Sequence, residues 1–226
     1  MPDIFIAISF VFAVSALLIG TGLKKQPGLG ILGALAIIGF SLWLRRESLA
    51  SLGFGFPPNW VQTILLGLVL GALIQLISVA FLEPFAEKVT GVPHDHSVLA
   101  NVKGNWKVFL QWMLVVWVVV ALLEEGIYRG FLMTEIAKII GAAPWAIGIN
   151  IIVSSLVFGL SHGYQGRSGV LSTGIIGLLL GGIFAWSGFN LWLAIFTHGF
   201  IDTIGIGLIA MDADKAIQNK IWKARR

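Results

Sequence analysis

Residues 108–129 read VFLQWMLVVWVVVALLEEGIYR, and this stretch decides the class of the molecule. Its first sixteen residues carry no charge, and they run directly into two adjacent glutamates, Glu124 and Glu125, with Arg129 four positions after the second. A helix that is apolar all round belongs in lipid or in a deep core rather than at a water surface. A spanning helix needs about 20 apolar residues, roughly 17–25. Six further segments have the same character: 4–23, 29–44, 61–82, 142–160, 170–186 and 191–211. The third has only Gln62 and Gln75 as strongly polar members, and Pro144 suits the first turn of the fifth. Helical character in the fourth segment continues past the glutamates toward Ile140. The expectation is an all-α, polytopic transmembrane helical bundle of about seven spanning helices, with six to eight allowed by uncertain helix ends.

Composition points the same way. Of 226 residues, 57% are hydrophobic and 12% charged, with a mean hydropathy of +0.92. Soluble domains carry roughly 25% charged residues. The length leaves room for one integral membrane domain, residues 1–226. The absence of Cys excludes disulfides, thiolate metal sites and cysteine catalysis. No basic face is interleaved with a soluble fold, so a nucleic-acid role is not expected. Segment 4–23 lacks the basic n-region and small-residue cleavage site of a signal peptide and is read as a span.

The connections set an orientation. Lys24 and Lys25 follow the first span, and Arg45, Arg46 and the Pro57-Pro58 turn follow the second. The polar stretch 83–107 is expected at the interface, with Trp60 and Trp106 as anchors. The C-terminal tail carries Lys215, Lys220, Lys223, Arg225 and Arg226. With seven spans and the tail inside, eleven Lys and Arg lie on the inner side and two on the outer. The N-terminus is therefore expected outside and the C-terminus in the cytoplasm, in the plasma membrane of a prokaryote.

Ionisable residues within apolar spans are expensive, and each is a functional hypothesis by default. They fall into three groups here: Glu124-Glu125 to Arg129, Phe158 to His162, and His198 to Asp202. Glu125 and Arg129 are four apart, in the favoured order for an ion pair on one helix face. Glu124 points about 100° away from Glu125, so Arg129 is expected to neutralise Glu125 and leave Glu124 aimed elsewhere. His198 and Asp202 are also four apart. Counting residues along the helices places Glu124, His162, His198 and Asp202 at depths compatible with one cavity open to the cytoplasm. Each group alone is explained by packing: an ion-pair pin, a hydrogen-bonded spacer, a helix-end residue. Together, on three helices, they point to a polar functional cavity. In the loop, His94-Asp95-His96 could bind a metal, although an exposed polar loop explains it more simply.

The three motifs resemble those of the CAAX protease and bacteriocin-processing family of intramembrane proteases, also called the Abi family. Its pattern is Glu-Glu-x-x-x-Arg, then Phe-x-x-x-His, then His-x-x-x-Asn or Asp on successive membrane helices. Each motif alone is weak; three in order at this spacing are strong. The resemblance covers about residues 108–211, which would form the catalytic core. It implies an endopeptidase that hydrolyses a peptide bond near the C-terminus of a prenylated protein or in another membrane-associated peptide. It implies that Glu124 with His162 activates water, that His198 and Asp202 steady the oxyanion, and that Glu125, Arg129 and Phe158 support them. The family's chemistry has been described both without a cofactor and with a metal. Glu124, His162, His198 and Asp202 are plausible ligands for a divalent ion such as zinc. Asp202 stands where the CAAX branch usually has Asn, and an ionised Asp cannot donate a hydrogen bond.

The chemistry is coherent without the resemblance. Peptide hydrolysis needs a base for water, a proton for the leaving amine and stabilisation of the developing oxyanion. A buried Glu serves as both base and acid when burial raises its affinity for a proton. The rival classes are a proton- or cation-coupled transporter, since carboxylate–His chains relay protons, and a non-catalytic membrane immunity or scaffold protein. The chain has no visible internal repeat, which counts against the transporter. The expected partners are a peptide or prenylated-protein substrate and the lipid bilayer, with no nucleic acid.

Overall fold

The computed structural model describes residues 2–222; Lys223, Arg225 and Arg226 of the basic tail lie outside the described residues. Among the described residues, seven helices are long and apolar enough to cross a membrane. They are α1 (Pro2–Leu23), α2 (Pro27–Arg45), α3 (Trp60–Thr90), α4 (Trp106–Ile140), α5 (Pro144–Ser161), α6 (Gly166–Trp186) and α7 (Leu191–Ala210). A further helix, α8 (Ala213–Trp222), follows.

Helix starts are encoded locally. Asn59, Asn105 and Asn190 each accept a hydrogen bond from a backbone N–H of the first turn of α3, α4 and α7. Pro144 occupies the first turn of α5, where its missing N–H leaves no bond unmade.

The surface is inverted relative to a soluble protein. Phe12 is 75% exposed and Leu114 69%, while Glu125, Arg129, Asn150 and Ser154 are buried. An apolar exterior of this extent requires lipid around it. The protein is an integral membrane protein.

Helix α4 is the central element, and residues 124–133 are buried without a break. Around it, α1 packs on α2, on α5 and on the far end of α4; α5 packs on α6, and α6 and α7 pack together. Helix α7 also packs on α3 and α4. The α3–α7 contact is set by glycines four apart, Gly67 and Gly71. A Cβ on Gly71 would lie 2.7 Å from the Thr197 carbonyl oxygen, next to His198. Gly199 gives the ring of Trp117 its place, since a Cβ there would approach it to 2.6 Å. Small residues thus hold the His198 turn of α7 tightly between α3 and α4.

Two features differ from the sequence reading. First, α3 does not stop near 82. It passes through a π turn at Ser78–Leu82 and continues as helix over Glu83–Thr90. The Glu83-Pro84 pair reads as a stop, but the π turn relieves Pro84 of its clash and its missing donor. The polar connecting stretch begins after Thr90 rather than at 83. Second, α4 is wound as π-helix over Val116–Glu124 and Gly126–Leu132. Such turns close i→i+5 bonds and concentrate at functional sites. They rotate successive side chains away from the α-helical register, so the separation of Glu124 from Glu125 is set by irregular winding.

Candidate active site

Glu124 and Glu125 sit side by side in the buried middle of α4 and face different partners. Glu125 is fully buried, and its Oε1 accepts a hydrogen bond from Arg129 Nη1 at 2.7 Å. Arg129 also donates through Nη2 to the Gly177 carbonyl at 3.1 Å, and its guanidinium lies 4.6 Å from the Phe158 ring centre. The expected intrahelical pair is present. What spacing along one helix did not reveal is a second contact, because His198 Nδ1 lies 2.8 Å from the same Glu125 oxygen. Glu125 therefore joins α4 to α7 and fixes one side of the His198 ring, leaving Nε2 free to face Asp202 Oδ2 at 3.7 Å.

His162 caps the C-terminus of α5. Its Nδ1 lies 2.7 Å from the Phe158 carbonyl, which can only accept, so the proton is on Nδ1. Nε2 then points toward Glu124 Oε2 at 3.9 Å. That separation is beyond a direct hydrogen bond and leaves space for a bridging water. Glu124 Oε2 is buried and has no hydrogen-bond partner among the described residues.

Phe158 is the hub of this arrangement. Its ring packs against Tyr128, His162 and His198, with centroids 4.9, 4.6 and 6.0 Å away. Sequence reasoning missed Tyr128, whose hydroxyl lies 2.6 Å from Ser161 Oγ. Tyr128 stands four residues after Glu124, the same interval that singled out Arg129 after Glu125, and that signal was available. Tyr164, two residues after His162, was missed as well; it lines the same cavity as Glu124.

The cavity, of about 580 Å³, brings together Glu124, His162, His198 and Asp202. One wall is apolar, with Trp112, Val116, Val119 and Ile206. At one end it reaches Lys25, His94, His96 and Gln165, from the α1–α2, α3–α4 and α5–α6 connections. Outside the spans, burial and the neighbouring His96 push the His94 imidazole down to about 4, and burial lowers His96 as well.

Among the described residues, one group of three His or carboxylate ligand atoms lies within 4.8 Å of one another, and it is Glu83, His94 and His96. Within the cavity, His162 Nε2 lies 3.9 Å from Glu124 Oε2 and His198 Nε2 lies 3.7 Å from Asp202 Oδ2.

Comparison with known families bears on the same segment. Residues 106–204 match the family model described as Type II CAAX prenyl endopeptidase Rce1-like. This segment is similar to the CAAX protease family. The Rce1-like domain starts at the first residue of α4 and ends two residues beyond Asp202, so it contains all three motifs, while α1, α2 and α3 precede it. The similarity supports, in general terms, an intramembrane protease of the CAAX type acting on a peptide or protein substrate in a membrane setting. No curated protein and no solved structure matches the chain.

Proposed function

We propose that the chain is an intramembrane endopeptidase in which Glu124 is the base that activates water. The observation that carries this reading is the unpartnered, buried Glu124 Oε2 facing the proton-free Nε2 of His162 at 3.9 Å. A water placed between them gives one O–H to each acceptor. Glu124 takes a proton as the water oxygen attacks the scissile carbonyl, and the new C–O bond pushes the carbonyl electrons onto oxygen. His198 donates from Nε2 to this oxyanion, which needs a proton on both ring nitrogens; Glu125 and Asp202 supply the counter-charge. As the tetrahedral intermediate collapses, the C–N bond breaks and Glu124 returns its proton to the leaving amine. No step requires an ion held by these four residues.

The substrate in this reading is a prenylated or otherwise membrane-associated peptide. Its apolar part rests against the Trp112, Val116 and Ile206 wall, and its peptide reaches the carboxyl–imidazole pairs from the end carrying Lys25 and Gln165. The sequence orientation makes that end cytoplasmic. Lys138 pairs with Glu47 in the α2–α3 connection; this reading counts it on the opposite side, and the inner excess of basic residues persists. We propose residues 106–204 as the catalytic core, with α1–α3 completing one domain.

The test is hydrolysis. Purified protein in proteoliposomes is expected to release the C-terminal tripeptide from a farnesylated CAAX peptide, identified by mass. Ion flux without cleavage would instead establish the transporter. Asp202→Asn tests the mechanism: an amide still orients His198 and can donate to the oxyanion, so activity should stay within about tenfold of wild type. A loss of several hundredfold, restored by added zinc, would make Asp202 an anionic metal ligand and overturn the metal-free scheme.

A further inference from the structure

Outside the carboxyl–imidazole pairs, the segment Pro93–Ser97 makes a second constellation. His94 and His96 project to the same side of this segment. Their rings are stacked at 4.3 Å between centroids, only 10° from parallel. Asp95 between them is occupied elsewhere: one oxygen accepts from the Ser97 backbone N–H at 2.9 Å and the other pairs with Lys25 at 3.7 Å. Glu83 reaches the imidazoles only because α3 continues as helix beyond its π turn. Its Oε2 lies 4.0 Å from His96 Nε2. His94 Nδ1 is buried and has no hydrogen-bond partner among the described residues. The segment is held in place by its backbone, since Glu87 accepts from the His94 N–H and the Gln165 carbonyl accepts from the Asp95 N–H.

We propose that Glu83, His94 and His96 form a binding site for a late first-row divalent cation, zinc foremost, at the mouth of the cavity. Two imidazoles and a carboxylate are a three-ligand zinc set that leaves a fourth position for water or a further donor. The three ligand atoms lie within 4.8 Å of one another. Around a tetrahedral ion with bonds near 2.0 Å they would lie about 3.3 Å apart, a contraction within reach of side-chain rotation. Gln218, which donates to Glu83 Oε2 at 3.3 Å, orients that carboxylate. Glu87 and Asp214 line the adjoining depression and raise the negative charge around the ion, opposed by Lys103 and Lys215.

The position gives the ion a role. It would tie the end of α3 to the loop. Through the His94–Gln165 contact at 3.3 Å it would brace the short turn that follows His162. An ion here would make the protein sensitive to chelators although no metal takes part in bond cleavage. The site does not depend on the proteolytic reading, and its test reads metal binding rather than activity.

The full-length protein, stripped with a chelator in detergent and titrated with zinc by calorimetry, should bind one zinc per chain. His96→Ala and Glu83→Gln should each weaken that binding at least about tenfold, as losses even of outer-shell partners do. Asp202→Asn should leave it unchanged. His96 is half-buried and Glu83→Gln preserves shape, so each zinc-free variant should melt near the zinc-free wild type. On the unmutated chain, cobalt(II) should show two imidazole ligands by X-ray absorption. Absence of zinc binding, or a cobalt shell without imidazole, would overturn the proposal. So would zinc affinity that survives both mouth substitutions and disappears with Asp202→Asn, which would put the ion at the carboxyl–imidazole pairs.

Discussion

Replacing Glu125 with Gln should destabilise the fold by about 3–5 kcal/mol, the cost of leaving a buried charge without its partner. Arg129 is 1% exposed and has no route to water. Its remaining contacts, the Gly177 carbonyl and the face of Phe158, are neutral. Glutamine keeps an acceptor oxygen for Arg129 or for His198 but removes the charge that both share. The loss should appear as a lower unfolding midpoint in detergent micelles. Activity should fall too, because His198 loses the group that fixes its ring. Reversing the pair, with Glu125→Arg and Arg129→Glu, would be a sufficient repair if the pair stood alone. The 2.8 Å contact between Glu125 and His198 says otherwise. The reversed pair sets a guanidinium against His198 Nδ1, so stability should return only in part and activity should not return. Wild-type stability in Glu125→Gln would contradict this account of the buried pair.

The contrast between these two partners of Glu125 shows where sequence reading reaches and where it stops. Arg129 was legible because residues four apart on one helix meet whatever the rest of the protein does. His198 was not, because residue counting along a span gives depth in the membrane and nothing about rotation around the helix axis. That rotation is set in α4 by two π-helical stretches, for which composition offers no signal. The seven segments were legible because lipid demands continuous apolar length; their ends were less so, since Glu83 and Pro84 resemble a stop and the π turn absorbs them. His94 and His96 read as an exposed polar loop because Glu83 appeared to lie outside any helix. Once α3 runs through to Thr90, the same loop has a carboxylate beside it.

Glu124 is the residue on which the functional account depends. Its Oε2 makes no hydrogen bond among the described residues, so Glu124→Gln removes no contact and should leave the unfolding midpoint close to wild type. It does remove the base. A positioned general acid–base group contributes about 10²–10⁴-fold to rate, and the loss should fall in that range. The decisive measurement is the rate of tripeptide release from a farnesylated CAAX peptide in proteoliposomes, wild type beside Glu124→Gln, each checked for equal folding. The account expects cleavage by the wild type and a fall of at least about 10²-fold in the variant. A folded Glu124→Gln protein that cleaves at the wild-type rate would contradict it.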